Sequence, residues 1–209
     1  MYKNFIFGYG SLINKKSREN TAQNKLNNIY TPVKVKKIKR EWNIKSKKYN
    51  MITLGIDFKN NNSCNGVIFN VSKNELKNFD KREKPYGYKR IELKKELIQP
   101  YKKDNLINKG KIWFYINNKN LLDKEIPLVQ SYIDVVLCGC LNIGEKFAQK
   151  FITTTNGWDK TWINDRKEPR YLRSMNISKK KSKKIDELLK KVIPKYFHSR
   201  KLLDKYKSY

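Results

Sequence analysis

Hydrophobic and polar residues alternate through much of the first 116 positions and recur at helical spacing afterwards. An apolar run over 4–8 ends at Gly8, which predicts a strand closed by a glycine turn. Between 33 and 44, Val33, Val35, Ile38, Trp42 and Ile44 stand among lysines, the pattern of a half-exposed strand pair. Ile52, Leu54, Ile56 and Phe58 fall on one face of a strand over 51–58. Residues 60–65 read as a turn-rich loop, and 67–71, 88–98 and 111–116 as further strands. Many short strands with loop punctuation predict a curled or barrel-like sheet.

Helices are predicted between and after these strands. Ser72-Lys73-Asn74-Glu75 has the form of a capping box, so a short helix should start near 73. Over 128–153 the residues Tyr132, Val135, Val136, Gly139, Cys140, Ile143, Phe147 and Phe151 repeat at helical spacing, which predicts one long helix. A last helix is expected from about 182, with Ile185, Leu188, Leu189, Val192, Ile193 and Tyr196 on one face and Pro194 kinking or ending it.

Composition narrows the class. The chain has 209 residues, enough for one full domain with a short extension. Its 13 Tyr, 9 Phe and 4 Trp point to a real core despite the charge. No apolar run is long enough to cross a membrane, and the first strand starts so early that no cleaved leader is expected. Three cysteines, Cys64, Cys138 and Cys140, cannot all pair, which fits a reducing, cytoplasmic setting. The net charge of +29 raises nucleic-acid binding as a function. However, 40 of the 48 basic residues are lysine and only 8 are arginine, the residue best suited to bidentate phosphate and base contacts. A lysine-rich solvated surface explains the charge more simply.

Two segments carry candidate chemistry. In Phe7-Gly8-Tyr9-Gly10-Ser11-Leu12, glycines around a tyrosine after a strand would let backbone N–H groups converge on an anion; an ordinary tight turn has the same spacing. In the second, Leu76, Phe79 and Glu83 share one helix face, so the two apolar residues carry Glu83 inward. A carboxylate so placed suits a proton shuttle; the alternative is an ion pair with Arg82, Lys89 or Arg90. The lone histidine, His198, lies in the basic tail, which argues against histidine-dependent triads and metal sites. There is no P-loop or dinucleotide fingerprint, and no metal or cofactor is expected.

Taken together, these segments resemble the γ-glutamylcyclotransferase-like family. Residues 7–12 are similar to its opening signature. Residues 79–90 resemble its Asp-x-Arg-Glu and Tyr-x-Arg segment, and residues 131–137 with Gly139 its late tyrosine-bearing segment. The resemblance covers about 1–155. It implies an α+β fold, with a mixed sheet curled into a small barrel and helices around it. It also implies a catalytic domain over 1–155; residues 156–209 are then an extension, which holds the basic amphipathic helix read from the stripe at 185–196. The implied reaction is cyclisation of a small-molecule γ-glutamyl amide to 5-oxoproline with release of an amine. Glu83 would be the acid/base, with Tyr9, Gly10, Ser11, Leu12 and Tyr132 binding substrate. Glutathione is among the substrates this would allow. The rival reading is a basic nucleic-acid-binding protein on the same fold without catalysis.

Overall fold

The computed structural model describes residues 3–24, 30–46, 49–102, 110–117 and 126–202. The chain divides into two compact units: 1–40 with 56–118, and 41–55 with 119–209.

The first unit is built on strand β1 (Lys3–Gly8), helix α1 (Lys15–Ala22), most of the long strands β2 (Tyr30–Ser46) and β3 (Met51–Val71), helix α2 (Lys73–Glu83), and strands β4 (Lys89–Glu92), β5 (Ile98–Pro100) and β6 (Gly110–Ile116). The strands run in the order β4-β6-β1-β3-β2-β5. β1 is antiparallel to β3 and parallel to β6, so the sheet is mixed. This is the expected α+β class, with one correction. Among the described residues the end strands β4 and β5 do not pair with each other, so the sheet is open and not a closed barrel. With only four and three residues, neither edge offers a ladder long enough to close on.

Two further expectations change. The predicted strand pair over 33–44 is one strand, β2, whose inward positions switch from odd to even at Lys36–Lys37. Lys37 has φ 58°, and two successive outward residues mark a bulge. That switch turns Arg40 into the core, where it is fully buried. The predicted loop at 60–65 is instead the middle of β3. Its flanks, 51–56 and 64–69, are buried on both faces, whereas Phe58 is 55% exposed and not in the core.

The helix predicted near 73 is α2, and its capping box is complete: Glu75 N–H donates to the Ser72 hydroxyl and Ser72 N–H to the Glu75 carboxylate.

The second unit holds the end of β2, the start of β3, strands β7 (Leu128–Val129), β8 (Thr155–Asn156), β9 (Trp162–Asn164) and β10 (Lys201–Leu202), and helices α3 (Gln130–Ile143), α4 (Glu145–Thr153), α5 (Lys179–Val192) and α6 (Pro194–His198). β10, β9 and β7 form a small parallel sheet, and β8 pairs with β2. The single helix predicted over 128–153 is broken at Gly144, whose φ of 157° departs from helical values. α5 starts at 179, capped by the Ser178 side chain, and Pro194 opens α6 at its first position. Ile185, Leu188 and Leu189 of α5 are buried, so its apolar stripe packs within this unit. No helix among the described residues is long and apolar enough to cross a membrane.

Candidate active site

Both candidate segments of the first unit converge on the turn after β1. Gly8 closes that strand, and residues 11–13 make a single 3-10 turn with Ile13 N–H bonded to the Gly10 carbonyl. A Cβ at Gly8 would lie 2.8 Å from Leu12 Cβ and 3.1 Å from the Leu12 backbone. The chain therefore folds back on itself more tightly than any side chain there would allow.

Three buried arginines hold this turn. Arg40 donates to the Tyr9 carbonyl at 3.2 Å, and to the Asn65 carbonyl and side-chain oxygen at 2.6 and 3.1 Å. Arg18 donates to the Leu12 and Ile13 carbonyls at 3.0 and 2.8 Å. Burial lowers the Arg18 pKa to about 10, so it stays charged at neutral pH. Arg82 reaches the Ser11 hydroxyl at 2.9 Å. In a trans peptide the N–H points opposite the carbonyl, so fixing Tyr9 C=O on Arg40 aims the Gly10 N–H the other way. The Tyr9 hydroxyl is engaged, donating to the Tyr115 carbonyl at 2.7 Å. Its ring is buried and helps to form the wall of the turn.

Glu83 is the last residue of α2. Leu76 and Phe79, on the same face, are buried as expected, and the Glu83 side chain is 15% exposed. The Arg82 Nε lies 2.9 Å from Glu83 Oε1, so the ion-pair alternative is present in the structure. Arg90 instead pairs with Asp80 at 2.8 Å and covers the Trp113 ring. The Tyr115 hydroxyl donates to the other Asp80 oxygen at 2.9 Å. Burial, that hydrogen bond, and the charges of Asp80 and Glu83 push the Tyr115 phenol well above its ordinary range, with Arg90 acting in the opposite sense. It therefore remains a donor throughout the physiological range.

Past Glu83 the helix tightens into a 3-10 turn, Lys84–Tyr86, closed by Gly87 at φ 77°. The left-handed conformation there suits glycine, and it ends the helix directly after the carboxylate.

Tyr132 lies in the second unit, in the first turn of α3. It is buried between Trp42 and Tyr171, with ring centroids at 5.6 and 4.7 Å. That turn is gripped by residues 164–171. Asp165, fully buried, accepts from Ser131 N–H at 2.7 Å, from the Ser131 hydroxyl at 2.6 Å and from Arg170 N–H at 2.8 Å. Arg166 bonds Asp134 through two nitrogens and also pairs with Asp186, which Arg200 contacts as well. Burial alone would raise Asp186, but the hydrogen bonds and charges of the two arginines outweigh it and hold the carboxyl below its usual range. That contribution to stability is present at neutral pH and is lost as pH falls through the depressed value.

The family model described as Gamma-glutamyl cyclotransferase, AIG2-like matches residues 6–132, the span that holds both site segments. The chain belongs to this family. A search of curated proteins finds no match. Among solved structures, one described as a Gamma-glutamyl cyclotransferase aligns with a TM-score of 0.56 at 14% identity, covering 88% of this chain and 99% of its own. A Homo sapiens protein described as uncharacterized protein loc79017 aligns at 0.55 and 15%, with the same coverages. YkqA of Bacillus subtilis aligns at 0.55 and 13%, covering 75% of this chain and 57% of its own. At these identities the structures share the fold of this family and speak only to that.

Residues that hold these segments and that the sequence reading did not single out are Arg18, Arg40, Tyr115 and Asp165. A signal for the arginines was available in the composition. Where 40 cations are lysine, an arginine marks a place that needs a planar, many-toothed donor.

Proposed function

We propose that this chain is a γ-glutamylcyclotransferase that converts a small γ-glutamyl amide into 5-oxoproline and a free amine. The observation that carries this reading is that one guanidinium, Arg82, holds both the Ser11 hydroxyl and the Glu83 carboxylate. Two motifs about 70 residues apart thereby meet at one place, a part-buried carboxylate beside a glycine-lined turn.

The chemistry asks little of the protein. The substrate's α-amine attacks its own γ-carbonyl, a five-membered ring forms, and the C–N bond to the leaving amine breaks. No enzyme nucleophile is required. Holding the glutamyl chain bent contributes up to about 7–11 kcal/mol by orientation alone. The α-nitrogen starts as an ammonium with three protons and ends as a lactam with one; Glu83 relays the two protons in turn to the leaving nitrogen, which departs as an ammonium, so the proton count balances. Backbone N–H groups of Gly10, Ser11 and Leu12 receive the substrate's α-carboxylate, while the body of Tyr9 shapes the pocket. The proposal places the catalytic part in 1–155 and gives 156–209 a supporting role.

The test is to incubate the purified protein with a panel comprising glutathione, γ-glutamyl amino acids and γ-glutamyl amines, and to assay 5-oxoproline. Absence of product from every member overturns the reading.

Tyr132 enters on the family resemblance, as a residue whose hydroxyl binds substrate. Tyr132→Phe is expected to cost about tenfold in kcat or KM, the value of one hydrogen bond, while Tm holds. Unchanged constants on every accepted substrate would reduce Tyr132 to a packing residue.

A further inference from the structure

We propose that Arg82 is the positioning residue of this site, and that it turns the Ser11 side chain into a substrate-binding donor. The proposal rests on the cyclotransferase reading above and adds two residue roles to it.

The geometry starts from the guanidinium, whose side chain is only 5% exposed. Its nitrogens divide between two jobs. Nη1 faces α1, donating to the Ser17 carbonyl and hydroxyl at 3.1 and 3.2 Å and to the Thr21 hydroxyl. Nε lies against Glu83 Oε1 at 2.9 Å, and Nη2 donates to Ser11 Oγ at 2.9 Å and Ser17 Oγ at 3.2 Å. One rigid plane thus anchors on α1 with one edge and presents Glu83 and Ser11 side by side with the other. A guanidinium does this because its donors are fixed in one plane; a lysine ammonium, a point charge on a flexible stem, cannot hold two acceptors in a set relation.

The consequence for Ser11 follows from hydroxyl valence. A serine hydroxyl has one proton and two lone pairs. Here the oxygen accepts from Arg82, and among the described residues no acceptor for its proton is found. Ser11 is buried, so this proton is not simply given to bulk water. It lies on the glycine turn, next to the N–H groups proposed to receive the α-carboxylate. A hydroxyl polarised by a cation is a stronger donor, and the substrate carboxylate supplies the acceptor that is otherwise missing. The carboxylate that moves the proton and the donor that holds the glutamyl end are in this way set by one side chain. The distance between the acid/base and the substrate's anchor is then fixed before substrate arrives.

Positioning and mere stability make different predictions, because the α1 side of Arg82 can be cut without touching the site side. Arg82→Lys is expected to lower kcat by about 10–10²-fold, since a misplacement of about 1 Å at a reacting group costs that much. Thr21→Val removes one α1 contact; it should lower Tm while kcat and KM stay within about twofold of wild type. Ser11→Ala should raise KM about tenfold, the loss of one charge-assisted hydrogen bond. In the Arg82→Lys background the same change should have little further effect, because the two act as a unit.

Measured on the best substrate of the panel, with Tm recorded for every variant, this pattern supports the proposal. Three results overturn it: wild-type kcat in Arg82→Lys, additive effects of Ser11→Ala and Arg82→Lys, or a loss of kcat in Thr21→Val equal to that in Arg82→Lys. A wild-type protein inactive on the whole panel fails earlier and overturns the cyclotransferase reading itself.

Discussion

Replacing Glu83 by Gln is expected to leave a folded protein that forms the proposed product, 5-oxoproline, about 10²–10⁴-fold more slowly than wild type. Glutamine keeps the shape and one acceptor oxygen. Arg82 Nε can still donate to it, so the contact that sits beside the turn survives in part. What is lost is the capacity to take and return a proton. The expected signature is therefore a collapse of kcat with little change in Tm. KM should shift modestly, because the proposed carboxylate anchor lies on Gly10 to Leu12 and not on Glu83. More than about a tenth of wild-type kcat in Glu83→Gln would remove the acid/base role, since such roles are worth at least two orders of magnitude. In that case Glu83 would be the partner of Arg82 and nothing more, the reading that the sequence also allowed.

The second large effect is on stability. Asp165→Ala is expected to destabilise the protein by about 2–4 kcal/mol, because it orphans the Ser131 N–H, the Ser131 hydroxyl and the Arg170 N–H in a fully buried place. For a chain of this size that corresponds to a fall in Tm of about 5–15 °C. α3 has no side-chain cap of its own at Val129, so Asp165 supplies from a distance what an N-cap residue supplies locally. Asp165→Asn keeps an acceptor and should lose less than the alanine variant. A change below about 1 kcal/mol in Asp165→Ala would show that water replaces the carboxylate and that residues 164–171 do not hold the helix.

Much of the architecture is legible in the chain because it depends on near neighbours. The strand ending at Gly8, the capping box at Ser72 and the helix behind it, the inward face of Leu76, Phe79 and Glu83, and the stripe of Ile185, Leu188 and Leu189 each follow from spacing within a few residues. The family resemblance adds the pairing of the two site segments, which no local rule contains. Local rules misplace the elements in which a distant contact overrides propensity. The asparagines at 60–62 favour a turn, yet they are held in the middle of β3 by two flanks buried on both faces. Phe58 fits the alternation of its strand but lies where that strand runs out into solvent. The strands that looked able to close a barrel end in edges too short to meet.

The sequence by itself determines the class of fold, the carboxylate at the end of α2 and the glycine turn after β1. Tertiary structure alone decides how they are held. Arg40 is turned inward by a bulge at Lys37, Arg18 grips two carbonyls, and Arg82 spreads over Ser11, Ser17, Thr21 and Glu83. Apart from the Arg82–Glu83 pair, which the sequence offered as one alternative, none of these partners is marked in the chain, because a guanidinium's role is set by which acceptors folding brings around its plane. Spacing along a sequence records the period of a helix or strand. It does not record the convergence of oxygens from elements far apart in the chain.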